Sequence, residues 1–155
     1  MNELVFRNLS EDAKRQICAW KYGGEYDLYN LPAYEEMQVR QIGFMNPKSE
    51  KNYYGFWDES ILVGFVNILE EKEEVFIGIG VNPDFCNKHY GQRMLLITYE
   101  ISKKLYPDKP LYLEVRTWNI RAVKCYQKAG FRIDGQAYEL ITGIGTGTFY
   151  RMIRE

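Results

Sequence analysis

The sequence predicts one α+β domain with α/β-type layering, in which helices flank a mixed, mostly antiparallel central sheet. Three observations carry that reading. Between Tyr53 and Val81 three strand-like segments follow one another, separated by charged turns, as in an antiparallel meander. The last of them, Val75 to Val81, holds only apolar residues and glycine, is too short for a typical helix, and leads through a tight loop into helical spacing. The alternating run Leu111 to Arg116 is then followed by a second helical segment that stops at Gly130.

Taken in order, Leu4 to Phe6 reads as a short first strand. Ser10 caps a helix from Glu11 to about Tyr22, with Glu11 and Asp12 favourably placed in its first turn. Ala13, Ile17 and Trp20 form its buried stripe and Gly23-Gly24 its stop. Glu25 to Asn30 reads as loop, Pro32 opens a second helix running to about Gln41, and residues 45–51 form a polar connector. Strands follow at Tyr53 to Asp58, Ile61 to Leu69 and Val75 to Val81, with turns at Asp58-Glu59-Ser60 and Glu70 to Glu74. The helix that restarts near Gln92 places Met94, Ile97, Ile101 and Leu105 on one face and stops at Pro107-Asp108-Lys109-Pro110. In Leu111 to Arg116, Leu113 and Val115 face one way and Tyr112, Glu114 and Arg116 the other. Two last strands, near Ala137 to Ile141 and Thr148 to Ile153, are joined across Gly143, Gly145 and Gly147.

Composition narrows the function. The 155 residues suffice for one domain with a proper core, so residues 1–155 read as a single domain. A net charge of −1 with 20 scattered Lys and Arg argues against a nucleic-acid partner. No apolar run approaches the roughly 18 residues of a membrane span, and Met1-Asn2-Glu3-Leu4-Val5 lacks a basic start followed by an apolar stretch. Cys18, Cys86 and Cys125 are too few and too irregularly spaced for a disulfide framework or a zinc site. The expectation is a reduced, cytoplasmic protein, free of metal, that binds neither nucleic acid nor membrane; monomer and homodimer both fit.

Between Val75 and Leu96 a strand feeds a helix through Asn87-Lys88-His89-Tyr90-Gly91. Such a loop aims unpaired backbone N–H groups and the positive end of a helix dipole at one point, which suits a phosphate. The stretch resembles the first motif of the GNAT superfamily of N-acetyltransferases, where V-x-P precedes Arg or Gln-x-x-Gly-x-Gly or Ala. Val81 and Pro83 match, Cys86 takes the Arg/Gln place, His89 the first Gly place and Gly91 the last. Histidine is among the residues enriched at positive φ, and Lys88 supplies charge that Cys86 does not. Leu111 to Phe131 is similar to the second motif at every named position: Leu113, Glu114, Val115, Arg116, Asn119, Ala122, Tyr126, Gly130 and Phe131. Asn119 suits an N-cap, Ala122 leaves room beside Tyr126, and Gly130 suits the left-handed helix end.

The resemblance implies an acetyl-coenzyme A-dependent N-acetyltransferase working by direct transfer through a ternary complex. It places the cosubstrate on Ile79, Gly80, Val81, Cys86, Asn87, Lys88, His89, Tyr90, Gly91 and Gln92, with Asn119 and Tyr126. It makes Tyr126 the proton donor to the departing thiolate; the competing reading of Tyr126 is a core aromatic. The Leu-Glu-Val-Arg run resembles the ribosomal-protein N-terminal acetyltransferases, which implies Glu114 as general base. Its competitor is a structural ion pair with Arg116, while Glu70 and Glu74 are weaker candidates and His89, in the loop, is not one. Gly78 and Gly80 either admit a ligand backbone or relieve packing against a neighbour. The acceptor is a small-molecule or peptide amine. Glu25, Tyr26, Asp27 and Tyr29, with Tyr22 and Tyr34 nearby, suit an amine that arrives protonated; the alternative is core rings and a solvated acidic face. The rival from another class is a non-catalytic acyl-coenzyme A binder or sensor, against which the intact Tyr126 argues.

Overall fold

Ser10 does cap the first helix: its hydroxyl accepts from the Ala13 N–H at 3.1 Å, and α1 runs Glu11–Ala19. The computed structural model describes residues 3–155, so Met1 and Asn2, the start of the segment read as lacking a leader, lie outside the described residues. The chain divides into two compact units: one running through Asn67 and including Ile79–Tyr90, the other Ile68–Gly78 with Gly91–Glu155.

In the first unit β1 (Val5–Asn8) pairs antiparallel with β2 (Tyr53–Asp58), and β2 with β3 (Ile61–Glu70), whose turn puts Glu59 at φ 56°. α1 and α2 (Tyr34–Arg40) bring Ile17, Tyr34 and Met37 into a core with Phe44, Trp57 and Leu62. α1 stops at Ala19, short of Tyr22 and of the two glycines. Trp20 takes an extended backbone there and its ring packs 6.1 Å from Phe65, so tertiary packing ends the helix before Gly23 is reached. The segment read as loop contains a 3-10 helix, Gly24–Tyr29, and α2 begins after Ala33 rather than at Pro32.

In the second unit the order is β4 (Val75–Val81, of which Ile79–Val81 fall in the first unit), β5 (Leu111–Arg116), β8 (Gly145–Arg154), β6 (Arg132–Ile133), with β7 (Tyr138–Thr142) also on β8. β4 and β5 run parallel, and β8 pairs antiparallel with β5, β6 and β7. The sheet is therefore mixed and mostly antiparallel, with α3 (Tyr90–Leu105) and α4 (Ile120–Lys128) as this half's helices. Arg154, on β8, lies 3.6 Å over the Tyr99 ring of α3 and donates to the Ala129 carbonyl just beyond α4, at 2.9 Å. Three sequence readings shift. The fully buried face of α3 is Met94, Leu95, Thr98 and Ser102, while Leu105 is half exposed; small side chains at 98 and 102 let the helix approach closely, and Thr98 returns its hydroxyl to the Met94 carbonyl at 2.8 Å. β6, only two residues long, carries no periodicity to read. Gly145 and Gly147 lie inside β8, so the hairpin tip is Gly143-Ile144. Among the described residues no helix is long and apolar enough to cross a membrane.

Lys14 on α1 is buried to 2% exposure, and its ammonium reaches Glu50 and, at 3.1 Å, Glu11. Burial works to depress its pKa, but hydrogen bonds to the two carboxylates more than offset that and hold it above the ordinary lysine value. Both carboxylates are more than half exposed, so water takes them over when the ammonium is removed. The stem is then what α1 depends on. In urea denaturation Lys14→Met should cost no more than about 1 kcal/mol, whereas Lys14→Ala should cost about 2–3 kcal/mol through lost packing. Equal losses would show that the charge matters more than the stem.

Candidate active site

β4 ends on a clamp that the sequence did not announce. The Asn82 N–H donates to the Val63 carbonyl at 2.8 Å, its side-chain amide donates to the Leu62 carbonyl at 3.0 Å, and its side-chain oxygen accepts from the Asp84 N–H at 3.0 Å. Asn82 is the unnamed middle residue of V-x-P, so no motif position singled it out. Pro83 then opens one 3-10 turn, Pro83–Phe85. The Phe85 ring meets Tyr90 edge-on at 5.6 Å, with the Lys88 ammonium over its face at 5.3 Å, and the Tyr90 hydroxyl donates to Asp58 at 2.5 Å. Asn87 and His89 both take left-handed backbone, at φ 63° and 67°. His89 thus adopts the conformation that glycine serves in the family pattern. α3 starts immediately after it, with Tyr90, Gly91 and Gln92 in its first turn, where backbone N–H groups have no intrahelical acceptor. Cys86 is half-buried, its sulfur 3.8 Å from the Asn82 carbonyl.

Upstream, Ile79, Gly80 and Val81 are half-buried, and the Val81 carbonyl accepts from the Tyr22 hydroxyl at 2.6 Å. A Cβ at Gly80 would sit 2.3 Å from the Phe65 ring. The packing reading of that glycine is met: it makes room for an aromatic ring on β3.

On β5, Leu111, Leu113 and Val115 are buried while Tyr112, Glu114 and Arg116 share the other face. Glu114 is exposed, and its Oε2 accepts from the Tyr138 hydroxyl at 2.6 Å. Burial first, and then that hydrogen bond, push the Tyr138 phenol well above its usual pKa. The expected Glu114–Arg116 ion pair is not among those of the described residues. Arg116 instead lies over the Phe149 ring at 4.8 Å, with a guanidinium nitrogen 3.4 Å from the Thr142 hydroxyl. The other carboxylates considered as bases are committed elsewhere. Glu70 pairs with Lys109 at 2.7 Å, and Glu74 takes a two-pronged hydrogen bond from Arg151, which also reaches Asp134 at 3.2 Å. Asn119 caps α4, its side-chain oxygen accepting from the Ala122 N–H at 3.2 Å, and Gly130 follows the helix at φ 96°. Tyr126 is half-buried on α4, one turn beyond Ala122.

Among the residues read as an acceptor site, Glu25 and Asp27 are exposed in the first turn of the Gly24–Tyr29 helix, Tyr26 is half-buried and Tyr29 exposed. Tyr34 belongs to the core: its hydroxyl donates to Glu11 at 2.5 Å and Arg15 lies over its ring at 4.0 Å. Tyr22 has its hydroxyl on Val81 and its N–H on the Asn30 side chain at 2.6 Å, so it fixes the segment's ends.

The model of the acetyltransferase (GNAT) family matches residues 10–131. A protein of Bacillus subtilis subsp. natto (strain BEST195), named probable spermine N(1)-acetyltransferase, is 31% identical over 99 residues; the match takes in 56% of this chain and 65% of that protein. Among solved structures, a chimera of the Vibrio cholerae spermidine N-acetyltransferase SpeG and hSSAT aligns with 99% of this chain and 95% of its own at TM-score 0.78 and 18% identity. A GNAT-family acetyltransferase from Bacillus anthracis aligns with 98% of this chain and 94% of its own at TM-score 0.79 and 18% identity. At such identities the structural likeness speaks for the fold alone. None of these relatives is named as a ribosomal-protein acetyltransferase.

The loop conformation has a stability test. His89→Gly should hold or raise stability, because glycine takes positive φ without a Cβ penalty. His89→Val, β-branched at the same φ, should lower it by about 1–2 kcal/mol in urea denaturation. If valine is tolerated as well as glycine, residue 89 is not left-handed in solution.

Proposed function

Because the chain belongs to the acetyltransferase (GNAT) family, we propose that it moves an acetyl group from acetyl-coenzyme A to a primary amine of a polyamine of the spermidine or spermine class. The observation that carries the catalytic part is the second motif, complete through Tyr126 and folded as its residues require, with Asn119 capping α4 and Gly130 ending it. The polyamine part rests on the names of the relatives and on the exposed Glu25 and Asp27. The Leu-Glu-Val-Arg run alone favours a protein N-terminus, and the names of the relatives given above do not add to it.

The residues present suit the cosubstrate. Left-handed Asn87 and His89 turn the chain so that the first-turn N–H groups of α3 converge, and Lys88 adds positive charge beside them. Acetyl-coenzyme A, when bound, supplies the thioester. In this reading Tyr90, Gly91 and Gln92 hold its pyrophosphate through their N–H groups, with Cys86 and Asn87 alongside. Ile79, Gly80 and Val81 would border its pantetheine arm. Residues 1–155 then act as one catalytic domain. Glu114 would take one proton from the ammonium; the freed nitrogen forms the new N–C bond as the C–S bond breaks, and the second proton it sheds ends on the departing sulfur, to which the Tyr126 hydroxyl donates a hydrogen bond. A phenol is a weaker acid than a thiol by about 1.5 pKa units, so Tyr126 acts chiefly as a hydrogen-bond donor. A side chain with that one task has no place in a mere acyl-coenzyme A sensor.

Turnover of acetyl-coenzyme A with spermidine, followed by thiol release, tests the reading directly. Tyr126→Phe keeps the ring and removes the hydroxyl; turnover should fall at least tenfold with acetyl-coenzyme A affinity near that of the parent. Unchanged turnover, with chemistry rate-limiting, would return Tyr126 to the core. For the acceptor, Glu25→Gln with Asp27→Asn should raise the polyamine KM and leave acetyl-coenzyme A affinity alone. It should also weaken the salt dependence of kcat/KM, since exposed charges are screened over about 10 Å at 0.1 M salt. A polyamine KM that stays put at low salt would remove this segment from the acceptor site.

A further inference from the structure

Among the described residues Glu114 forms no ion pair, although Arg151 is near enough to act electrostatically on Tyr138. Two arginines lie close by on the β5–β8 ladder. Arg116 is two residues along the same strand face, and Arg151 is directly opposite in register. Both are drawn away. Arg151 is held by Glu74 and Asp134, with its guanidinium 4.3 Å over the Tyr112 ring. Arg116 lies across β8 beside Gly147, whose missing Cβ leaves room for its Nη1. Into the gap comes a neutral group. Tyr138 pairs with Phe149 on β8, which in turn pairs with Arg116, so its ring reaches across a whole strand to bring the hydroxyl to Glu114 Oε2. Among the described residues, Oε1 has no hydrogen-bond partner.

We propose that Tyr138 is a positioning residue for Glu114: its hydroxyl fixes one carboxylate oxygen and leaves the other directed to the amine, without the neutralising charge an arginine would bring. The chemistry favours a phenol for this task. A guanidinium at hydrogen-bond distance favours the ionised carboxylate strongly and so weakens it as a base. A neutral donor orients the group at a smaller loss of basicity. The inference rests on the reading of Glu114 as general base, and its test separates the two.

The amine itself provides the readout. At pH 7 an alkylammonium needs a base; near pH 10 much of it arrives neutral and the need fades. With spermidine as acceptor, Glu114→Gln should lower kcat/KM at least tenfold at pH 7 and by much less at pH 10. Tyr138→Phe should show the same pH-dependent deficit, some three- to tenfold at pH 7, with acetyl-coenzyme A affinity by calorimetry and the melting temperature both close to the parent's. The double variant should be no worse than Glu114→Gln alone, since Tyr138 acts through Glu114. A deficit in Glu114→Gln with none in Tyr138→Phe overturns the positioning role and leaves the base standing. An equal deficit of Tyr138→Phe at both pH values, or multiplicative losses in the double variant, makes Tyr138 a purely structural residue. No deficit in Glu114→Gln removes the base, and the positioning role with it.

Discussion

How β4 lets go of the sheet governs the candidate loop. A strand that continued past Val81 would carry residues 83–90 along the ladder and leave no turn to aim a helix. Pro83 forbids continuation because it has no N–H to give, but a missing donor alone does not fix direction. Asn82 does: three hydrogen bonds from one residue tie the strand's end to Leu62 and Val63 and start the next turn at Asp84. Tyr22 holds the preceding carbonyl and Asp58 holds Tyr90, so both sides of the loop are pinned within the same unit. The two left-handed residues, Asn87 and His89, reverse the chain inside that frame. Backbone at positive φ persists for non-glycine residues only where the surroundings over-determine it, and here they do.

What was legible in the sequence was whatever local chemistry decides. Tyr53–Asp58, Val75–Val81 and Leu111–Arg116 fall where alternation and turn residues put them, and α4 begins after Asn119 because one side-chain oxygen satisfies an orphan N–H there. His89 at a glycine position was readable as a left-handed residue because histidine is one of the few that tolerate it. Elements settled by distant packing were not legible. The end of α1 answers to the contact of Trp20 with Phe65, forty-five positions further along the chain. The buried face of α3 is chosen by small side chains, Thr98 and Ser102, which a search for apolar residues passes over. Gly80 looked equally like a ligand approach and a packing relief until the Phe65 ring was seen in its space.

The candidate site divides along the same line. Glu114, Asn119 and Tyr126 could be named because their spacing is a motif. Asn82, Tyr138 and Gly147 could not, since what each does depends on a partner two strands or many residues away. The Arg116 pairing shows the point. Two opposite charges at i and i+2 on one strand face read as an ion pair, yet the glycine at 147 opens a route over Phe149 that takes the guanidinium elsewhere.

That diversion bears on the proposed acceptor. A peptide α-amine, with pKa about 7.7–8.0, is neutral in about one part in six to eleven at pH 7 and gives up little more than 1 kcal/mol on deprotonation. A lysine-like amine near pKa 10.4 is neutral in only about one part in 2,500, a handicap of about 4.6 kcal/mol. An enzyme for α-amines thus has little use for a carboxylate shielded from cations, and an ion-paired Glu114 would serve it as well. An enzyme for polyamines has every use for one. The polyamine names among the relatives and the neutral partner of Glu114 come from independent sources, sequence likeness in one case and side-chain geometry in the other. Under the proposed role of Glu114 as base, they favour the same acceptor, because the basicity of the amine sets how much work the base must do.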